Sequence, residues 1–185
     1  MQKKTMTKKE INVFIENIYD DFNLDEKGIV LSDMINDAVL MTEYFLSQDL
    51  NVKNSCLNNC EFKKLYFDVV LTNDEKIHEI NLEYRQKDCA TDVITFAIFA
   101  DSPEDEKFVF DNEVNLGELI ISLDTALKQS KDNSHHQTTF KDELYFLLAH
   151  GILHLMGYDH QDENTLNEMW QLQKEMTDSL KKVES

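Results

Sequence analysis

Apolar residues recur along the chain with two periods, and each change of period marks a predicted element. Ile11, Phe14, Ile15 and Ile18 stand at helical spacing, and after Gly28 so do Leu31, Met34, Ile35, Ala38, Val39, Thr42 and Phe45, with Ser32 or Asp33 available as an N-cap. Residues 1–50 are therefore predicted to be helical. Asn51 to Cys60 is rich in Asn and lacks an apolar period, which predicts a loop. Leu65 to Leu71 (LYFDVVL), Val93 to Phe99 (VITFAIF) and Leu116 to Leu123 (LGELIISL) are β-branched and aromatic runs, and predict three strands. Further helices are predicted from an Asn73-Asp74 cap to Tyr84, after a cap at Asp124, from Phe140 to Met156 with a stop at Gly157, and from Asn164 to Lys182.

Between these elements, Asp101 to Glu113 carries six acids against Lys107 alone and holds the only proline, Pro103, so it reads as a surface loop. Ser130 to Thr139 is polar and reads as a linker between helices. No internal repeat and no shift of composition marks a second domain. At 185 residues, 42% hydrophobic and 29% charged, the chain can bury one core, and residues 1–185 read as one domain.

Charge narrows the classes of function. With 36 Asp+Glu against 18 Lys+Arg the net charge is −18, which argues against a protein that coats nucleic acid or an anionic membrane, because such binding draws on Lys/Arg contacts. A local phosphate pocket remains compatible with it. No run of 18 apolar residues occurs, and Met1 to Glu10, with Lys3, Lys4, Lys8 and Lys9, has no apolar stretch behind its charges. Neither a membrane span nor a secretory signal is expected, and the expected compartment is the cytoplasm. Cys56, Cys60 and Cys89 are odd in number and are expected to be reduced thiols.

The densest chemistry lies in His150-Gly-Ile-Leu-His154-Leu-Met-Gly157-Tyr-Asp159-His160. On a helix the rings of His150 and His154 project from one face, with Cβ atoms about 6 Å apart, near enough to grip one ion. Gly157 can adopt the left-handed conformation that stops the helix and turns the chain back, so that His160 closes the site. Three neutral nitrogens leave a fourth tetrahedral position for water, whose pKa a catalytic zinc lowers to about 7. Asp159 either orients a ligand or holds the turn. The spacing also describes metzincin proteases, but those place their Glu base where this chain has Gly151.

Lysine occurs 17 times and arginine once, as Arg85 in Asn81-Leu-Glu-Tyr-Arg85-Gln-Lys87-Asp88. A chain that otherwise uses Lys keeps one Arg where a planar, permanently charged fork is needed, and phosphate recognition is such a need.

These residues carry a family resemblance. HGILHLMGYDH (His150 to His160) resembles the signature of the YbeY family of rRNA maturation factors, and further matches are NLEYRQKD with TDVITF (Asn81 to Phe96), LGELIIS (Leu116 to Ser122) and MWQLQ (Met169 to Gln173). The resemblance implies an α+β fold, a single domain with a mixed, roughly four-stranded sheet packed with helices and the histidines on a helix and its following turn. It implies a Zn2+ ion held by His150, His154 and His160, with Arg85 as the catalytic arginine beside a substrate phosphate. It also implies an endoribonuclease acting on ribosomal RNA, in small-subunit 3′-end processing and ribosome quality control, with a ribosomal protein or a GTPase as partner. No DNA or membrane partner is expected. This chain has Cys89-Ala90 and Thr95-Phe96-Ala97 where the family usually has prolines, which bears on the rigidity of the loop bearing Arg85.

Two other classes compete: a metzincin-like protease, which lacks its base here, and a non-catalytic ribosome-associated protein with structural zinc. Lys87 reads as a solubilising residue with an assisting role as the alternative, Cys56-x-x-x-Cys60 as ordinary thiols, and His78 and His135-His136 as surface histidines.

Overall fold

The first apolar segment is a strand, β1 (Glu10–Asn17), where its spacing predicted a helix. Its side chains alternate: Val13 and Ile15 are 7% and 8% exposed, whereas Phe14 between them is 66% exposed. Phe14 points outward, yet supplies the apolar residue that completes an apparent helical set. The strand is selected by a distant partner, since Ile11, Val13 and Ile15 pair in parallel with Leu65, Phe67 and Val69. In this computed structural model the described residues are 9–103, 107, 109–132 and 139–181. Lys3 to Lys8, Glu104 to Glu106 and His135-His136 lie outside them.

The other elements follow the sequence more closely. α1 (Leu31–Ser47) has Val30 at its N-cap without a side-chain bond, and Ser32 and Asp33 fall in its first turn instead. α2 (Asp49–Lys53) takes up the start of the predicted loop. β2 (Lys64–Thr72) leads through Asn73, whose side chain accepts from the Lys76 N–H, into α3 (Asp74–Arg85). β3 (Val93–Phe96) is shorter than predicted because the chain turns at Ala97 into α4 (Ile98–Asp101). β4 (Glu113–Ser122) is followed by α5 (Leu123–Gln129), capped by Ser122 rather than Asp124. Asp124 instead accepts from the Asp74 N–H at the head of α3. α6 (Phe140–Leu155) begins with a capping box between Thr139 and Asp142, and α7 (Glu163–Lys181) closes the fold.

The strands form one mixed sheet in the order β1-β2-β4-β3, parallel except for β3 against β4. The result is a single α+β domain with a four-stranded mixed sheet. One face joins the main core through Phe67, Val69, Leu119 and Ile121, together with apolar residues of α1, α6 and α7. On the other face Ile94 and Ile120 pack with Ile77 of α3. Gly117 has φ +119, and a Cβ there would fall 1.9 Å from the Phe96 carbonyl oxygen, so only glycine allows β3 its approach to β4.

Candidate metal centre

α6 lies against β4 and β3, with Ile152 and Leu155 fully buried. His150 and His154 project from the helix on a neighbouring stripe, their ring centroids 4.5 Å apart and their Nε2 atoms 3.0 Å apart. The helix then stops at a Schellman turn: Gly157 has φ +88, its N–H donates to the His154 carbonyl, and the Tyr158 N–H donates to the Leu153 carbonyl. That reversal brings the His160 ring to 5.4 Å from His150 and 5.5 Å from His154. One nitrogen from each of the three histidines lies within 4.8 Å of the others, a group that could hold a metal ion. Among the described residues no other such group occurs.

The hydrogen bonds fix which nitrogen of each helical ring is free. His154 Nδ1 lies 2.9 Å from the Tyr158 carbonyl oxygen, and His150 Nδ1 lies 3.3 Å from Gln173 Oε1. Both oxygens accept, so each neutral ring carries its hydrogen on Nδ1 and presents a lone pair at Nε2. Burial lowers the pKa of His150, and burial with the neighbouring His150 pushes that of His154 down to about 4. Both rings are therefore neutral near pH 7. Two lone pairs facing each other across 3.0 Å repel unless a cation lies between them, so the donor set fits a metal ion such as zinc.

Asp159 holds the turn rather than a ring: its oxygens accept from the His160 N–H at 2.8 Å and from the Gln161 amide at 3.1 Å. Gly151 lies on the buried face of α6, where a Cβ would meet the Leu119 side chain at 3.1 Å. A side chain there would have to displace Leu119, and a protease's glutamate would enter the contact between α6 and β4.

Arg85 ends α3 and is exposed, and its Nη2 donates to the Thr95 carbonyl on β3 at 3.2 Å. That bond ties it to the edge strand against which α6 packs. The loop beyond is braced without prolines, because the buried Asn81 side chain donates to the Cys89 carbonyl at 2.8 Å. Lys87 is exposed, and His78 pairs with Asp88 at 2.7 Å, apart from the histidine cluster. None of the three cysteines is in a disulfide.

A cleft of about 740 Å³ opens beside His150, lined also by Asp92, Gln129, Phe146, Trp170 and Gln173. Neither Asp92 nor Gln173 carries a predicted role. The signal for Gln173 was a polar residue set in the buried stripe of α7 with Met169, Leu172 and Met176.

Comparison with known proteins agrees with this architecture. The family model for Endoribonuclease YbeY matches residues 31–181. Curated relatives bearing that name include one from Synechococcus, 42% identical over 58% of this chain and 57% of its own length, and one from Ligilactobacillus salivarius, 41% identical over 60% and 72%. A third, from Bacillus subtilis, is 42% identical over 60% of this chain and 69% of its own length. The chain thus spans between about half and three quarters of these relatives. The solution structure of TM1509 from Thermotoga maritima has a similar fold, with TM-score 0.52 and 21% identity over 90% of this chain and 87% of that one. With the family match running from the start of α1 to the end of α7, the chain belongs to the Endoribonuclease YbeY family.

Proposed function

We propose that this protein is a zinc-dependent, single-strand-specific endoribonuclease that acts on ribosomal RNA in small-subunit 3′-end maturation and ribosome quality control. The observation that carries the proposal is the convergence of three imidazole nitrogens, the Nε2 atoms of His150 and His154 only 3.0 Å apart, beside a cleft in a chain of this family. His150, His154 and His160 would hold the ion. When bound, it supplies Lewis-acid stabilisation of phosphoryl charge and lowers the pKa of water.

The chain's own residues do the rest. The Tyr158 carbonyl keeps the His154 hydrogen on Nδ1 and leaves its Nε2 toward the other two rings. Arg85 spends one N–H on the Thr95 carbonyl, leaving other N–H donors of a five-donor fork for the charge that develops on phosphorus. A phosphodiester reaches a partly buried His150 more readily from a splayed single strand than from a stacked duplex, which supports the single-strand preference.

The charge of −18 supports weak binding to free RNA and delivery by a ribosomal partner, a ribosomal protein or a GTPase. Among the described residues no helix is long and apolar enough to cross a membrane, and action on the ribosome places the protein in the cytoplasm. The lack of a glutamate after His150, where Gly151 packs against Leu119, counts against a protease.

RNA cleavage and metal content of His154→Ala and Arg85→Lys test the proposal. His154→Ala is expected to lose both metal and cleavage, and Arg85→Lys to keep metal and lose cleavage by at least about tenfold. Normal cleavage by metal-free wild type overturns the metal's role, and normal cleavage by Arg85→Lys overturns that of Arg85. Chelation should leave the chain folded, because the core is built from α1, α6, α7 and the sheet. Unfolding on chelation would favour a structural zinc instead.

A further inference from the structure

We propose that Gln173 is the positioning residue of the candidate metal centre, holding His150 in the tautomer and ring orientation that metal binding requires. The inference rests on the three-histidine reading above and adds a residue from a separate helix.

Gln173 lies on α7 and is only 3% exposed, one of few polar side chains in the core. Its amide spans one turn of the neighbouring α6: Oε1 lies 3.3 Å from His150 Nδ1, and Nε2 donates to the Phe146 carbonyl at 3.4 Å. The second bond settles the first. A carbonyl oxygen cannot donate, so the NH2 end of the amide must face Phe146 and the oxygen must face His150. An oxygen at that position accepts a hydrogen from Nδ1 and leaves Nε2 of His150 as the lone-pair nitrogen, the atom 3.0 Å from its counterpart on His154.

The two helical histidines are thus oriented by different means. His154 is held within its own chain turn, by the carbonyl of Tyr158 just past the helix stop. His150 depends on α7, whose apolar stripe of Met169, Leu172 and Met176 docks it into the core beside α6. A buried side chain with both a donor and an acceptor fits the two sites on α6, whereas a buried apolar residue would fill the space and leave the ring free to swap tautomers.

Zinc affinity of the full chain, measured by competition with a chelating dye, and imidazole nitrogen NMR of the zinc-free protein test this. Wild type should bind zinc and carry its His150 hydrogen on Nδ1. Gln173→Met, which keeps the length and loses both bonds, should bind zinc about 10- to 100-fold more weakly and shift hydrogen to Nε2. Gln173→Glu, which keeps the acceptor, should restore most of the affinity. A merely structural Gln173 would lower the melting temperature of the zinc-free protein and leave affinity unchanged, so a folded Gln173→Met with wild-type affinity overturns the proposal. The wild-type spectrum alone also decides, since a hydrogen on Nε2 of His150 overturns it with no variant needed. Failure of the wild type to bind zinc would overturn the three-histidine reading itself, a result distinct from equal affinities of wild type and variant.

Discussion

The Cys56 N–H donates to the Met156 carbonyl at 2.9 Å, tying the segment after α2 to the end of the histidine helix. The next residue, Gly157, packs directly against Cys56: an added Cβ would lie 3.3 Å from the Cys56 Cβ and 3.4 Å from its nitrogen. Gly157→Ala therefore meets both a left-handed backbone and a close neighbour. It should cost about 1–2 kcal/mol of stability and weaken zinc binding, since this turn delivers His160. Urea denaturation and zinc titration read the two effects, and unchanged affinity would show that His160 is placed by something other than the turn.

Gly151 tests the exclusion of a protease in the protein itself. Gly151→Glu places a carboxylate against Leu119, in the contact between α6 and β4. Overpacking and a buried charge together should cost at least about 3 kcal/mol, visible as a large fall in melting temperature. A well-folded Glu variant would mean that α6 can shift away from the sheet.

Gln86 holds a strained position at the end of α3, with φ 58 and ψ 30. The left-handed region costs a side chain about 1 kcal/mol, and glycine is the residue that helix ends favour there. Gln86→Gly should raise stability by about 0.5–1 kcal/mol in urea denaturation while leaving the Arg85 bond to Thr95 in place. A loss of stability would show that the Gln86 side chain contributes more than its backbone strain removes.

Asp74 makes the heads of α3 and α5 sensitive to acid. Burial raises its pKa, but bonds from Lys128, Ser122 and Thr125 outweigh it, and the net shift is downward. A carboxyl with a lower pKa folded than unfolded stabilises the fold above the unfolded value, about 3.9, and loses that contribution as pH falls through the folded value. Below about pH 4 the wild type should therefore lose stability more steeply than Asp74→Asn, with urea midpoints at several pH values as the measure. Parallel curves would remove Asp74 from the account.

How much of this was legible in the sequence depended on distance along the chain. His150, His154, Gly157 and His160 lie within three helical turns, so spacing alone conveyed the clustering of the three rings. Arg85 stood out because the chain uses arginine once. β1 was hidden because its partner β2 is remote and Phe14 faces outward. Gln173 was marked only as a polar residue in the apolar stripe of α7, and its partner appears only when α7 docks beside α6. The cap of α5 was misplaced for a smaller reason: Ser122 and Asp124 both suit a helix start, and only their partners separate them, since Ser122 accepts from the Thr125 N–H of α5 and Asp124 from the Asp74 N–H of α3.

β1 also sets a limit on how the chain can be shortened. The family match begins at residue 31, beyond Asn17, and a fragment cut at that boundary would retain every proposed metal and phosphate residue. It would nonetheless take Val13 and Ile15 out of the main core and shift the open margin of the sheet from β1 to β2, whose Leu65, Phe67 and Leu71 are fully buried in the whole chain. Such a fragment would keep its chemistry and lose the apolar cover that keeps it from joining its own copies.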